Sequence, residues 1–133
     1  MKGNIQIIQG NSHTDDRGII RFINDFDMAE VVRMYSIKPT MGVIRAWQGH
    51  LTEKKWFFVV VGRFMVKTVD MHSHERNQFI LSDVESTVLE IPGGFYNGFE
   101  ALTENSTLLV FSNATVEQSK ADDYRKSLEQ ISW

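Results

Sequence analysis

The chain has 133 residues, no cysteine, four histidines, and 14 Lys and Arg against 17 Asp and Glu, for a formal charge of −3. That length predicts one domain, residues 1–133, with a core large enough to hold without disulfides. The absence of cysteine excludes thiolate zinc sites, iron–sulfur clusters, CxxC redox motifs and a disulfide scaffold, and mild acidity without a basic block argues against nucleic-acid binding.

Met1-Lys2-Gly3-Asn4 leads into Ile5-Gln6-Ile7-Ile8-Gln9, too short and polar for a secretory core, so a cytoplasmic setting is expected. Strands are expected at Asn4 to Gln9 and, after the turn Asp15-Asp16-Arg17-Gly18, at Gly18 to Asn24 and Val31 to Ile37. Pro39-Thr40-Met41-Gly42 then turns the chain into Val43 to Trp47, followed by Lys54 to Val61. The apolar run Trp56 to Val61 falls far short of the roughly 20 residues of a membrane helix, so no membrane partner is expected. Arg63 to Asp70 lacks clean alternation and is expected to be covered on both faces. His72 and His74 sit in a stretch that reads as a solvated hairpin loop, and His13 is read as another loop residue. Asn77 to Leu81, Ser86 to Ile91 and Ser106 to Ser112 complete the strands, with turns at Ser82-Asp83 and Pro92-Gly93-Gly94. Ser119 to Ile131 has helical promise, with Ser119 and Asp122 as a capping pair, but equally suits a surface turn that clips a barrel shut. Short strands at regular spacing imply an all-β antiparallel sandwich or barrel.

Gly42-Val43-Ile44-Arg45-Ala46-Trp47-Gln48-Gly49-His50, with Lys55 and Gly62 beyond it, resembles the first cupin motif, and Pro92-Gly93-Gly94-Phe95-Tyr96-Asn97 resembles the second. The resemblance implies a cupin-type (jelly-roll) β-barrel. A chance Gly/His pattern in another β-barrel is the alternative. At the four positions where a metal cupin carries His, His, Glu and His, this chain has Gln48, His50, Lys55 and Asn97. A lysine ammonium has no lone pair to give and neutral amides are weak ligands, so neither metal nor other cofactor is expected.

Asp16-Arg17-Gly18, Arg33-x-Tyr35-x-Ile37, Arg45-x-Trp47-x-x-His50, Lys55-Trp56-Phe57, Ile91-Pro92-x-Gly94-Phe95-x-Asn97-Gly98-Phe99 and Asp122-Asp123-x-Arg125 resemble the metal-free cupins that act on nucleotide-linked 4-keto sugars. Two subfamilies compete, the dTDP-4-dehydrorhamnose 3,5-epimerases and the dTDP-4-keto-6-deoxyglucose 3,4-ketoisomerases. The epimerase base position holds Gln48, which takes no proton near neutral pH, and the late-strand tyrosine is expected to be replaced by Phe111. The ketoisomerase pattern keeps the second histidine, His50, and Tyr35.

The resemblance therefore implies a 3,4-ketoisomerase in surface polysaccharide synthesis, a nucleotide-sugar substrate and a homodimer. His50 is the expected base, because imidazole titrates near neutrality, with Tyr35 and Lys55 stabilising the enediolate. Arg17, Arg45, Trp47, Gln48 and Asn97 are expected to bind substrate. A noncatalytic sugar-binding cupin and a divergent 3,5-epimerase remain alternatives, and each residue has a plainer reading as a turn, core or solvated group. Arg45 and Gln48 differ by an odd number, so both face inward only across a bulge.

Overall fold

The computed structural model describes residues 3–133, so Met1 and Lys2 lie outside the described residues. The strands are β1 (Gln6–Gln9), β2 (Asn11–Asp15), β3 (Gly18–Phe22), β4 (Arg33–Ile37), β5 (Arg45–His50), β6 (Lys55–Val61), β7 (Arg63–Asp70), β8 (Arg76–Ser82), β9 (Thr87–Ile91), β10 (Phe95–Ala101), β11 (Thr107–Ser112) and β12 (Tyr124–Arg125), with one short helix, α1 (Val116–Lys120), between the last two. Two antiparallel five-stranded sheets, β1-β9-β6-β11-β4 and β12-β5-β10-β7-β8, form the body, and β2–β3 is a separate hairpin. This is the expected all-β, cupin-like architecture.

Alternation puts Phe57, Val59, Leu108 and Val110 of one sheet against Phe64, Val66, Phe95 and Phe99 of the other, and this cluster is the core. Full burial of each such side chain contributes about 1.5–3 kcal/mol. β7 alternates buried Phe64, Val66 and Thr68 with half-buried Met65 and Lys67, so the expected cover is complete on one face and partial on the other. Val66 looks into the core, while Lys67 on the other face lies 4.5 Å from the Trp133 ring.

Three strands depart from the sequence expectation. β2 pairs with β3 through Ser12↔Arg21 and Thr14↔Ile19, so His13 lies on an exposed strand rather than in a loop. β10 contains Asn97-Gly98, a turn signal in isolation, yet it is the central partner of β5 and β7. Gly98 is required by close approach, because a Cβ there would stand 2.5 Å from the Ala46 Cβ and 2.9 Å from the Trp133 ring. The tail does not form the helix over Ser119 to Ile131. Thr115 and Gln118 make a capping box for α1, which ends at Lys120, and β12 then adds to the edge of β5 through Tyr124↔Gly49 and Arg125↔Gln48. The alternative expectation, a tail that clips the barrel, describes the structure.

Candidate active site

A cavity of about 320 Å³ lies between the sheets. Tyr35 and Ile37 line it from edge strand β4, Lys55 and Phe57 from β6, Gln48 from β5, Asn97 and Phe99 from β10, and Val110 from β11. Ile37, Phe57, Phe99 and Val110 supply apolar surface suited to a sugar or base face. The lining also carries Arg45, Lys55 and Arg125, with no carboxylate among the described residues. Such a wall favours an anionic ligand.

Arg45 and Gln48 share this cavity because β5 is bulged. Gln48 pairs with Asn97 and Arg45 with Phe99, so the strand advances three residues against two. Lys55 is 5% exposed, and its Nζ donates to Gln48 Oε1 at 3.4 Å and lies 5.8 Å from the centre of the Tyr35 ring. The solvated lysine is Lys54, which lies over Trp56 and 3.5 Å from Glu30. Asn97 is buried and donates to the Gln48 carbonyl at 3.3 Å.

His50 is outside the lining. It continues the inner face of β5 beyond Gln48, opposite Phe95, and its side chain is buried. Nδ1 meets the Asp122 carbonyl, which only accepts, so the neutral ring carries its proton on Nδ1 and its lone pair on Nε2. Nε2 is buried and has no hydrogen-bond partner among the described residues. Burial, reinforced by the Lys55 charge, holds the imidazole below its usual range, against the raising effects of Asp122 and Glu53. The Asp122 carboxylate accepts the amides of Leu51, Thr52 and Glu53 at 2.7, 2.9 and 2.9 Å. One tail residue thus fixes both the imidazole and the β5–β6 turn.

Two expected placements are corrected and a third is narrowed. Trp47 is in the cavity lining, but its indole is anchored beneath the tail. Its Nε1 donates to the Ile131 carbonyl at 2.7 Å, and the ring stacks 5.4 Å from Trp133 with Arg76 on it, so the bulge that brings Arg45 and Gln48 inward turns Trp47 under the tail. Arg17 sits at the β2–β3 tip, with a side chain 84% exposed and paired with Asp15 at 2.7 Å, and the structure does not bring it to the cavity. Phe111 packs on Phe26 on the outer face, so the inward late-strand residue is Val110, which also lacks a hydroxyl.

The sequence assigned no site role to Glu53, Asp123 or Arg125, and gave Asp122 only a helix cap. The Asp122-Asp123-x-Arg125 pattern marked the tail for function, but no periodicity shows that a two-residue strand carries Arg125 to a cavity on β5.

Fold and cavity together define a cupin-like protein with a cationic small-molecule site between its sheets. No protein-family model matches the sequence. The chain is 30% identical over 109 residues, 74% of its length and 69% of the relative's, to a probable low-salt glycan biosynthesis epimerase of Haloferax volcanii. A dTDP-4-dehydrorhamnose 3,5-epimerase from Sulfolobus tokodaii superposes with a TM-score of 0.80 at 25% identity, covering 100% of this chain and 85% of that one. The QdtA 3,4-ketoisomerase from Thermoanaerobacterium thermosaccharolyticum, a double mutant in complex with TDP, has the same fold, with a TM-score of 0.75 at 22% identity over 95% of this chain and 90% of that one. The chain belongs to the family of the Haloferax epimerase, and it shares the fold of the dTDP-sugar epimerases and ketoisomerases to which its motifs point.

Proposed function

We propose that the protein isomerises a nucleotide-linked 4-keto-6-deoxy sugar in glycan biosynthesis, moving the carbonyl from C4 to C3. The observation that carries this reading is the cavity in which Lys55, Tyr35, Arg45, Gln48 and Asn97 meet with no carboxylate in the lining. A base removes the C3 proton and the C4 oxygen becomes the enediolate oxyanion. Proton exchange between the two oxygens and return of the carbon-bound proton to C4 leave the carbonyl at C3. Lys55 and the Tyr35 hydroxyl supply preorganised charge and a donor for the oxyanion. Arg45 offers a forked guanidinium to the diphosphate, and Asn97 hydrogen-bonds the sugar.

His50 is the base of this reading, because its depressed pKa leaves Nε2 unprotonated at neutral pH. Nε2 is buried in the free protein, so this reading requires a side-chain movement that exposes it to substrate. Lys55 is the alternative base, favoured by its place in the lining. Incubation with dTDP-4-keto-6-deoxyglucose in heavy water is expected to put deuterium at C4 of the 3-keto product. The acid limb of kcat/KM is expected below the ordinary imidazole range, because a lowered pKa keeps the base neutral to lower pH. His50→Gln is expected to abolish exchange. Retained exchange in that variant assigns the base to Lys55, incorporation at C5 marks an epimerase, and binding without exchange marks a noncatalytic sugar-binding cupin.

The reading includes a homodimer, for which exposed Ile19, Ile20, Met34 and Val60 supply apolar surface. Trp47 lines the cavity, but its indole N–H is engaged by Ile131, so this reading gives it no ligand contact. Trp47→Phe removes the Nε1 bond to Ile131 and is expected to lower unfolding free energy by about 1 kcal/mol in urea while leaving dTDP affinity within about twofold by calorimetry. Loss of dTDP affinity at unchanged stability would put the ring back at the ligand.

A further inference from the structure

Gln48 stands between a cation and an anion. Its Oε1 accepts from Lys55 Nζ at 3.4 Å, and its Nε2 donates to Asp123 Oδ1 at 3.2 Å. The same Asp123 oxygen accepts from Arg125 Nε at 2.8 Å, and the β12 pairing Arg125↔Gln48 ties the two backbones together. An ammonium only donates and a carboxylate only accepts, so only one orientation of the amide satisfies both neighbours. Lys55 is buried with no carboxylate within ion-pair distance among the described residues, which leaves the Gln48 carbonyl as the protein group that restrains its Nζ.

We propose that Asp123 and Gln48 are positioning residues for Lys55, with Asp123 locking the Gln48 amide so that Oε1 holds one Nζ–H and leaves two for a ligand oxygen. The inference rests on the reading that Lys55 meets the enediolate oxygen, and it gives the C-terminal segment a part in the chemistry. An ammonium on a four-carbon stem otherwise samples many rotamers, and displacement by about 1 Å can cost on the order of a hundredfold in rate. Arg125, paired to Asp123, keeps that carboxyl below its usual range and therefore ionised, with Gln48 adding to the effect.

Asp123→Asn offers either a carbonyl or an amino group to Gln48 and so no longer sets its orientation. The expected result is a loss of about 10–100-fold in kcat for C4 deuterium incorporation, with dTDP affinity within about threefold of the parent. Partial recovery of kcat is expected in Asp123→Glu. The Lys55 ε-carbon resonance of labelled protein is expected to move and broaden in Asp123→Asn, because the amide no longer holds the ammonium in one place. A kcat within twofold of the parent overturns the inference, as does a parallel loss of kcat, dTDP affinity and melting temperature that Asp123→Glu does not reverse. If the parent shows no exchange but the Lys55 resonance moves, the isomerase reading fails and the positioning stands. If the parent exchanges and neither kcat nor the Lys55 resonance responds to Asp123→Asn, the positioning fails alone.

Discussion

Lys55→Met is expected to lower the rate of deuterium exchange by about 10²–10³-fold, the usual consequence of removing one preorganised oxyanion donor, while leaving the protein as stable as the parent or more so. The two directions have one cause. Lys55 Nζ is buried against the Gln48 carbonyl and the Tyr35 face with no carboxylate partner in the cavity, an arrangement that costs desolvation and recovers little of it in the free protein. Methionine keeps the unbranched reach and removes the charge. A binding ligand restores the missing anion, so the parent is also expected to gain more thermal stability from dTDP-sugar than the variant does. Exchange kinetics and urea unfolding on the same two proteins check this. A variant that unfolds more easily yet exchanges at the parent rate would make Lys55 a structural residue.

What the sequence showed of this site depended on how local each feature is. The frame Gly42 to Gly62 is contiguous, so Gln48, His50 and Lys55 were identifiable from spacing, and the odd separation of Arg45 and Gln48 required the bulge that the β5–β10 register contains. The direction of Trp47 was not legible, because it depends on where within the bulge the extra residue falls and on a tail more than eighty residues away, whose Ile131 carbonyl takes the indole N–H. Strand β10 was missed for a related reason. Asn97-Gly98 is read locally as a turn, whereas Gly98 answers to a crowded contact with Ala46 and Trp133 that exists only once the sheet is built. The helix expected from Ser119 onward is not there: Thr115 and Gln118 cap a shorter one that ends at Lys120, and Asp122, expected as a capping partner, accepts the 51–53 amides instead.

Glu53→Ala is expected to cost about 3–5 kcal/mol of unfolding free energy, the range for removing one partner of a buried ion pair. Glu53 is 3% exposed, and its Oε2 accepts from Arg33 at 3.0 Å and from the Ser112 hydroxyl at 2.6 Å. Alanine leaves the guanidinium and the hydroxyl without that partner around a void. Burial alone would push this carboxyl up, but hydrogen bonds from Ser112 and Ser119 and the nearby Lys55 and His50 charges outweigh it and hold the group below its usual value. Its folded pKa is thus depressed, so the stabilisation is fully present above the unfolded pKa and is lost as pH falls through the folded one. The parent-minus-variant difference in urea stability is expected to be largest at neutral pH and to shrink on acidification. A difference that stays constant down to pH 3 would mean that Glu53 is not ionised in the fold. The same carboxylate has a second oxygen 3.5 Å from His50 Nδ1 and raises that imidazole's pKa. Whatever exchange activity the alanine variant retains is therefore expected to show its acid limb at lower pH than the parent, because the ring that loses this charge holds its proton less tightly.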